Sequence, residues 1–112
     1  RTASLKDLCR AYSKGKGRVL DVRQEVEWRA QQIPKSMHIF IGELPHRLDE
    51  VPRDREVWAI CSTGYRASIA ASLLDRAGIP VRLVRPGGVS QWLDQCPPAQ
   101  VSTRTSQGPG QP

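Results

Sequence analysis

Leu5, Leu8, Cys9 and Tyr12 fall at i, i+3, i+4 and i+7, the spacing of one helical face. Ser4 stands at the capping position of that helix, and Asp7 three residues on completes a capping box. Lys14-Gly15-Lys16-Gly17 ends it and offers a glycine for a left-handed cap. The run from Arg18 to Val22 is short and rich in β-branched and aliphatic residues, so it reads as a strand. Gln24 to Gln31 reads as a short helix that Pro34 terminates. Met37 to Ile41 is a second strand-like run. A helix is then expected from Gly42-Glu43-Leu44-Pro45, with Leu44, Leu48 and Val51 on one side and a turn at Pro52–Arg55. Val57-Trp58-Ala59-Ile60 is a continuous apolar run of the kind buried on both faces of a parallel sheet. Residues 61–65 form a loop. Arg66 to Ala77 is the longest helix, with Ile69, Ala70, Leu73, Leu74 and Ala77 at helical spacing and Gly78 just past its end. Val81 to Val84 is a further strand, and Pro86-Gly87-Gly88 turns the chain into a last short helix through Trp92 and Leu93.

Strands alternating with helices predict an α/β domain around a largely parallel sheet. Ligands of such sheets bind beyond the carboxyl ends of the strands. That rule selects Cys61, which follows the most apolar strand and precedes the longest helix.

Composition adds boundaries to this picture. The chain has 112 residues, one domain's worth. Residues 2–96 carry the periodic pattern; residues 97–112 are Pro, Gln, Ser, Thr and Gly with almost nothing apolar and are expected to be a disordered tail. No apolar run reaches membrane-spanning length, and no basic-then-apolar leader is visible. The net charge of +6 raises the question of nucleic acid, but the basic residues alternate with acids, as in Arg53-Asp54-Arg55-Glu56. A solvated mixed-charge surface that attracts small anions is the reading, with neither nucleic acid nor membrane as partner. Three cysteines stand at 9, 61 and 96, without a C-x-x-C and with no histidine at ligand spacing. Neither a disulfide framework nor a metal site is expected. Cys9 reads as a packing residue and Cys96 as a bystander at the end of the last helix. A free functional thiol then suggests a reducing, cytoplasmic location.

The segment Cys61-Ser62-Thr63-Gly64-Tyr65-Arg66 carries the chemistry. Small residues and a glycine let the backbone curl so that successive N–H groups point inward, and the following helix adds its positive end. Such a nest stabilises negative charge on the cysteine sulfur and on an incoming group. Arg66 adds a fixed positive charge.

In this order and spacing, Val19-Leu20-Asp21-Val22-Arg23 with Glu27, Ile33-Pro34, the Cys61-to-Arg66 loop with Ala67-Ser68, and Gly87-Gly88 with Trp92 make the chain resemble the rhodanese domain over nearly all of residues 2–95. The resemblance implies a parallel five-stranded sheet with helices on both faces, its short first strand around Thr2-Ala3. It implies that Cys61 forms a persulfide, that Ser62, Thr63, Gly64, Tyr65 and Arg66 build the substrate-binding loop, and that Asp21 and Arg23 order the site. The bland alternative for Asp21 and Arg23 is a surface ion pair with Glu27 or another neighbour. The family often has a glycine where Lys35 stands, so an altered loop is expected there.

The activity implied is sulfur transfer, of the thiosulfate:cyanide sulfurtransferase type. A sulfane sulfur passes from thiosulfate or a low-molecular-weight persulfide to Cys61, then to a thiol or cyanide, with no metal or organic cofactor. Related phosphatases and arsenate reductases have five residues between Cys and Arg, whereas four intervene here, a smaller nest that suits sulfur and leaves phosphatase as the runner-up chemistry. Two other readings stay open. One is a sulfur-relay module acting with a fused or partner sulfur-handling domain, because Arg66 is the only charge in the loop. The other is a non-catalytic binding domain, against which the presence of Cys61 argues.

Overall fold

The computed structural model describes residues 1–96. The tail expected at 97–112 lies outside the described residues. Five strands and four α-helices alternate. They are β1 Thr2–Ala3, α1 Leu5–Ser13, β2 Arg18–Asp21, α2 Glu25–Ala30, β3 Met37–His38, β4 Val57–Ile60, α3 Tyr65–Arg76, β5 Val81–Val84 and α4 Val89–Gln95. All strand pairings are parallel, in the order β1-β5-β4-β2-β3. The α/β class is the one the pattern predicted, and the five-stranded parallel sheet is the one the family resemblance implied.

The alternation of β4 explains the two layers. Val57 and Ala59 face the cluster that includes Ala67, Ala70 and Leu74 of α3. Trp58 and Ile60 face the cluster that includes Leu8 of α1 and Val89 and Trp92 of α4. A strand buried on both faces needs apolar residues at every position, and all four positions of β4 are buried. On the second face, Tyr12 of α1 meets Trp92 of α4 edge-on, with ring centroids 5.0 Å apart. The Ser4/Asp7 capping box at the start of α1 is present as read. Among the described residues no helix is long and apolar enough to cross a membrane.

The structure departs from the sequence reading at three places. The helix expected after Gly42 is two 3-10 turns, Leu44–His46 and Leu48–Glu50. Pro52 holds Val51 in extended backbone (φ −85°, ψ 129°), as a proline does to its predecessor, so a longer helix cannot propagate. Leu44 and Val51 still reach the core.

Second, Cys9 and Cys96 form a disulfide, with Cα atoms 5.7 Å apart and 87 residues of sequence separation. This corrects the expectation that no disulfide forms, and with it the reading of Cys9 as mere packing and Cys96 as a bystander. Cys61 is the free cysteine. The pairing is invisible in the spacing because it depends on α1 packing against the end of α4.

Third, Lys35 keeps the turn for which a glycine is the usual residue. Its φ is +68°, and the turn is closed by the Ser36 N–H donating to the Ile33 carbonyl at 3.0 Å.

Candidate functional site

Three adjacent strands end side by side. β2 ends at Asp21, β4 at Ile60 and β5 at Val84, so Val22-Arg23, Cys61 and Arg85 emerge at one edge of the sheet. Asp21 pairs directly with Ile60 in register.

Cys61 is fully buried at the floor of the loop. Two backbone N–H groups donate to its Sγ, Gly64 at 3.1 Å and Ala67 at 3.3 Å. Both belong to the turn into α3 or its first residues, so the sulfur lies at the positive end of a twelve-residue helix. Gly64 has φ +109°, a conformation that side-chain-bearing residues rarely adopt, and this turns its N–H inward. The loop is also braced from behind. The Val89 N–H donates to the Cys61 carbonyl at 3.0 Å, and a Cβ built on Gly88 would lie 1.9 Å from that same oxygen. Only a residue without a side chain lets α4 start this close to the loop.

Arg66 is not the free cation that the sequence suggested. Its Nη1 donates to Glu27 Oε1 at 2.7 Å, its Nη2 to Glu27 Oε2 at 3.1 Å and to Ser62 Oγ at 3.0 Å. Ser62 Oγ in turn donates to Glu27 Oε2 at 3.2 Å. The Arg66 guanidinium, followed by the backbone N–H of Gln24, holds the Glu27 carboxyl down at about 2 against the opposing effect of desolvation, and Glu27 raises Arg66. The arrangement ties the Cys61 loop to α2. Glu27 appeared in the sequence as part of a motif but without this role, since its partner lies 39 residues away.

Asp21 and Arg23 pair with each other, not with Glu27, and they are buried rather than on the surface. Arg23 Nη2 donates to Asp21 Oδ2 at 2.8 Å, and Nε donates to Oδ1 at 3.0 Å. Arg23 also donates to the Gln31 carbonyl, and His38 Nε2 lies 2.7 Å from the Arg23 carbonyl oxygen. The pair therefore fixes the chain between β2 and the end of α2. Thr63 and Tyr65 are exposed on the rim, and Ser62 is half-buried. The arrangement can hold a sulfur and stabilise negative charge on it with two backbone donors.

Residues 4–95 match the family model of the rhodanese-like domain. A putative sulfurtransferase of Bacillus subtilis (strain 168), YtwF, is 30% identical over 80 residues, covering 71% of this chain and 77% of that protein. The probable adenylyltransferase/sulfurtransferase MoeZ of Mycobacterium tuberculosis (strain ATCC 25618 / H37Rv) is 36% identical over 89 residues, which is 74% of this chain and 22% of that protein. The crystal structure of a rhodanese-related protein from Thermoplasma volcanium superposes with a TM-score of 0.78 at 29% identity, covering 85% of this chain and 92% of that one. Sulfur transfer is the general class that the sulfurtransferase relatives support.

Proposed function

The chain belongs to the rhodanese-like domain family, and on that premise we propose that it is a sulfurtransferase in which Cys61 carries the sulfur. The reading rests above all on the two N–H groups, of Gly64 and Ala67, that converge on Cys61 Sγ. The Cys61 thiolate attacks the outer sulfur of thiosulfate. A new S–S bond forms, the donor's S–S bond breaks, and sulfite leaves with the electron pair. With a low-molecular-weight persulfide the leaving group is the thiolate. The Cys61 persulfide keeps its negative charge on the outer sulfur, where the loop formed by Ser62, Thr63, Gly64, Tyr65 and Arg66 surrounds it. A thiol or cyanide then attacks that outer sulfur, and the Cys61 thiolate is released. The cycle is ping-pong nucleophilic catalysis by the protein's own residues. In this scheme residues 2–96 are the sulfur-handling unit. Asp21 and Arg23 act by holding the neighbouring strand end.

Treatment with thiosulfate is expected to add the mass of one sulfur atom to the intact chain, and cyanide to remove it. A Cys61→Ser variant that gains the same mass would overturn the assignment.

A relay role is the second reading. It is favoured by relatives named a putative sulfur carrier protein and an adenylyltransferase/sulfurtransferase. In that reading the acceptor is a thiol on a partner or fused sulfur-handling domain, and turnover with free cyanide is slow although Cys61 loads normally.

A further inference from the structure

A dianionic donor needs a positive charge at the mouth of the loop, and the loop's own arginine does not supply one. Arg66 is neutralised by Glu27 through two hydrogen bonds. Arg23, at the end of β2, is neutralised by Asp21 and buried. The backbone N–H groups that reach Cys61 Sγ are dipoles and carry no net charge.

A third arginine stands at the same edge of the sheet. Arg85 follows β5, the neighbour of β4, just as Cys61 follows β4. Its backbone is fixed by donation of its N–H to the Ala3 carbonyl at 2.9 Å. Its Cβ packs over Gly64, only 3.4 Å from where a Gly64 Cβ would be, and Gly64 is the residue whose N–H touches the sulfur. Arg85 is exposed, and among the described residues it has no ion pair and no side-chain hydrogen bond. Of the three arginines tied by contact to this edge, two are spent on carboxylates and Arg85 is not.

We propose that Arg85 is the donor-binding residue of this site, holding the anionic end of the sulfur donor over Gly64 while Cys61 attacks the outer sulfur. The proposal deepens the sulfur-transfer reading and rests on it. It assigns the donor to the class that carries its charge next to the transferable sulfur, as the sulfonate of thiosulfate does. A planar guanidinium with several donors suits a sulfonate's oxygens better than a point charge would. It also answers the sparse charge of residues 62–65. The missing cation comes from a different strand, 24 residues along the chain from Cys61.

The test compares loading of Cys61, followed by intact mass, from thiosulfate, glutathione persulfide and cysteamine persulfide, which bears an ammonium group. In Arg85→Gln the KM for thiosulfate is expected to rise about tenfold with little change in the maximal rate, the scale of one charge-assisted hydrogen bond. Arg85→Glu should lose more, and Arg85→Lys should recover part. Cysteamine persulfide should load every variant at the parent's rate or faster, since its ammonium group gains nothing from Arg85, and this also shows that the variants are folded. Increasing salt should weaken thiosulfate loading of the parent more than that of Arg85→Gln. An unchanged thiosulfate KM in Arg85→Gln, or an equal rise for all three donors, overturns the proposal and leaves sulfur transfer standing. A parent chain that loads from cysteamine persulfide but not from thiosulfate has the same meaning. A parent chain that loads from none of the three overturns the sulfur-transfer reading itself.

Discussion

Glu27 and Arg66 are joined by two hydrogen bonds of 2.7 and 3.1 Å, so the arginine that closes the Cys61 loop is anchored to α2. This turns a charge that the sequence presents as a substrate contact into a brace. Glu27→Ala is expected to slow loading of Cys61 by a factor on the order of ten to a hundred, because loss of positioning of the loop misplaces the reacting atoms. Its cost in stability should be only about 1 kcal/mol, since both side chains remain partly exposed to solvent. A loading assay set beside a thermal melt separates the two effects. Equal loading rates in parent and variant would show that the brace does not serve the site.

The same pair sets an acid limit. Glu27 titrates at about 2 in the folded chain, well below its ordinary 4.5, chiefly because Arg66 hydrogen-bonds its carboxylate. A depressed carboxylate stabilises the fold above its unfolded-state value, and that contribution is lost as pH falls from about 4.5 towards about 2. Melting temperatures measured across this window should fall less steeply in Glu27→Gln than in the parent. Parallel curves would mean that Glu27 is not linked to folding.

Gly88 is where α4 meets the loop. An added methyl would lie 1.9 Å from the Cys61 carbonyl oxygen and 2.3 Å from that of Ser62, and both are backbone atoms that cannot swing away. Gly88→Ala should destabilise the chain by about 3 kcal/mol. In the fraction that stays folded it should also displace the two N–H donors from Cys61. Urea denaturation gives the first quantity and Cys61 loading the second. A variant with parental stability would contradict the contact.

The Cys9–Cys96 bond closes almost the whole described chain into one loop and pins α1 to the end of α4. Constraining the unfolded chain over so long a loop stabilises the fold by about 4.5 kcal/mol. Reduction, or the Cys9→Ser/Cys96→Ser double variant, should therefore lower Tm by roughly 20 °C or more. Cys61 should still load, because the bond lies at the far end of α4 from Gly88. An identical Tm with and without reductant would mean that the bond does not form in solution.

Lys35 sits at φ +68°, where a side chain is strained and a glycine is not. Lys35→Gly is expected to raise stability by about 1 kcal/mol with no effect on loading of Cys61. A loss of stability would show that the Lys35 side chain contributes contacts that outweigh the backbone strain.

Much of this site was legible along the chain. The apolar run Val57–Ile60, the glycine-bearing turn and the helix that follows are local features, and residues adjacent in sequence were enough to select Cys61 and its nest. The Asp21/Arg23 motif was legible as a motif, but its pairing was not. The helix read after Gly42 is two 3-10 turns because the backbone at Arg47 (φ −129°, ψ 21°) leaves the helical region between them, a break that apolar spacing does not reveal.

By itself the sequence determined most of the elements, the parallel class of the sheet and the place of Cys61 between the central strand and the longest helix, because each follows from periodicity and turn chemistry over a few residues. Only the tertiary structure decided which charges and thiols find partners. Glu27 meets Arg66, Cys9 meets Cys96, and Arg85 lies over Gly64, because the strand order β1-β5-β4-β2-β3 brings together segments that the crossover helices separate in sequence. A charge in a sequence has no fixed partner until the sheet is assembled. Here the assembly leaves Arg66 neutralised and Cys61 as the free thiol.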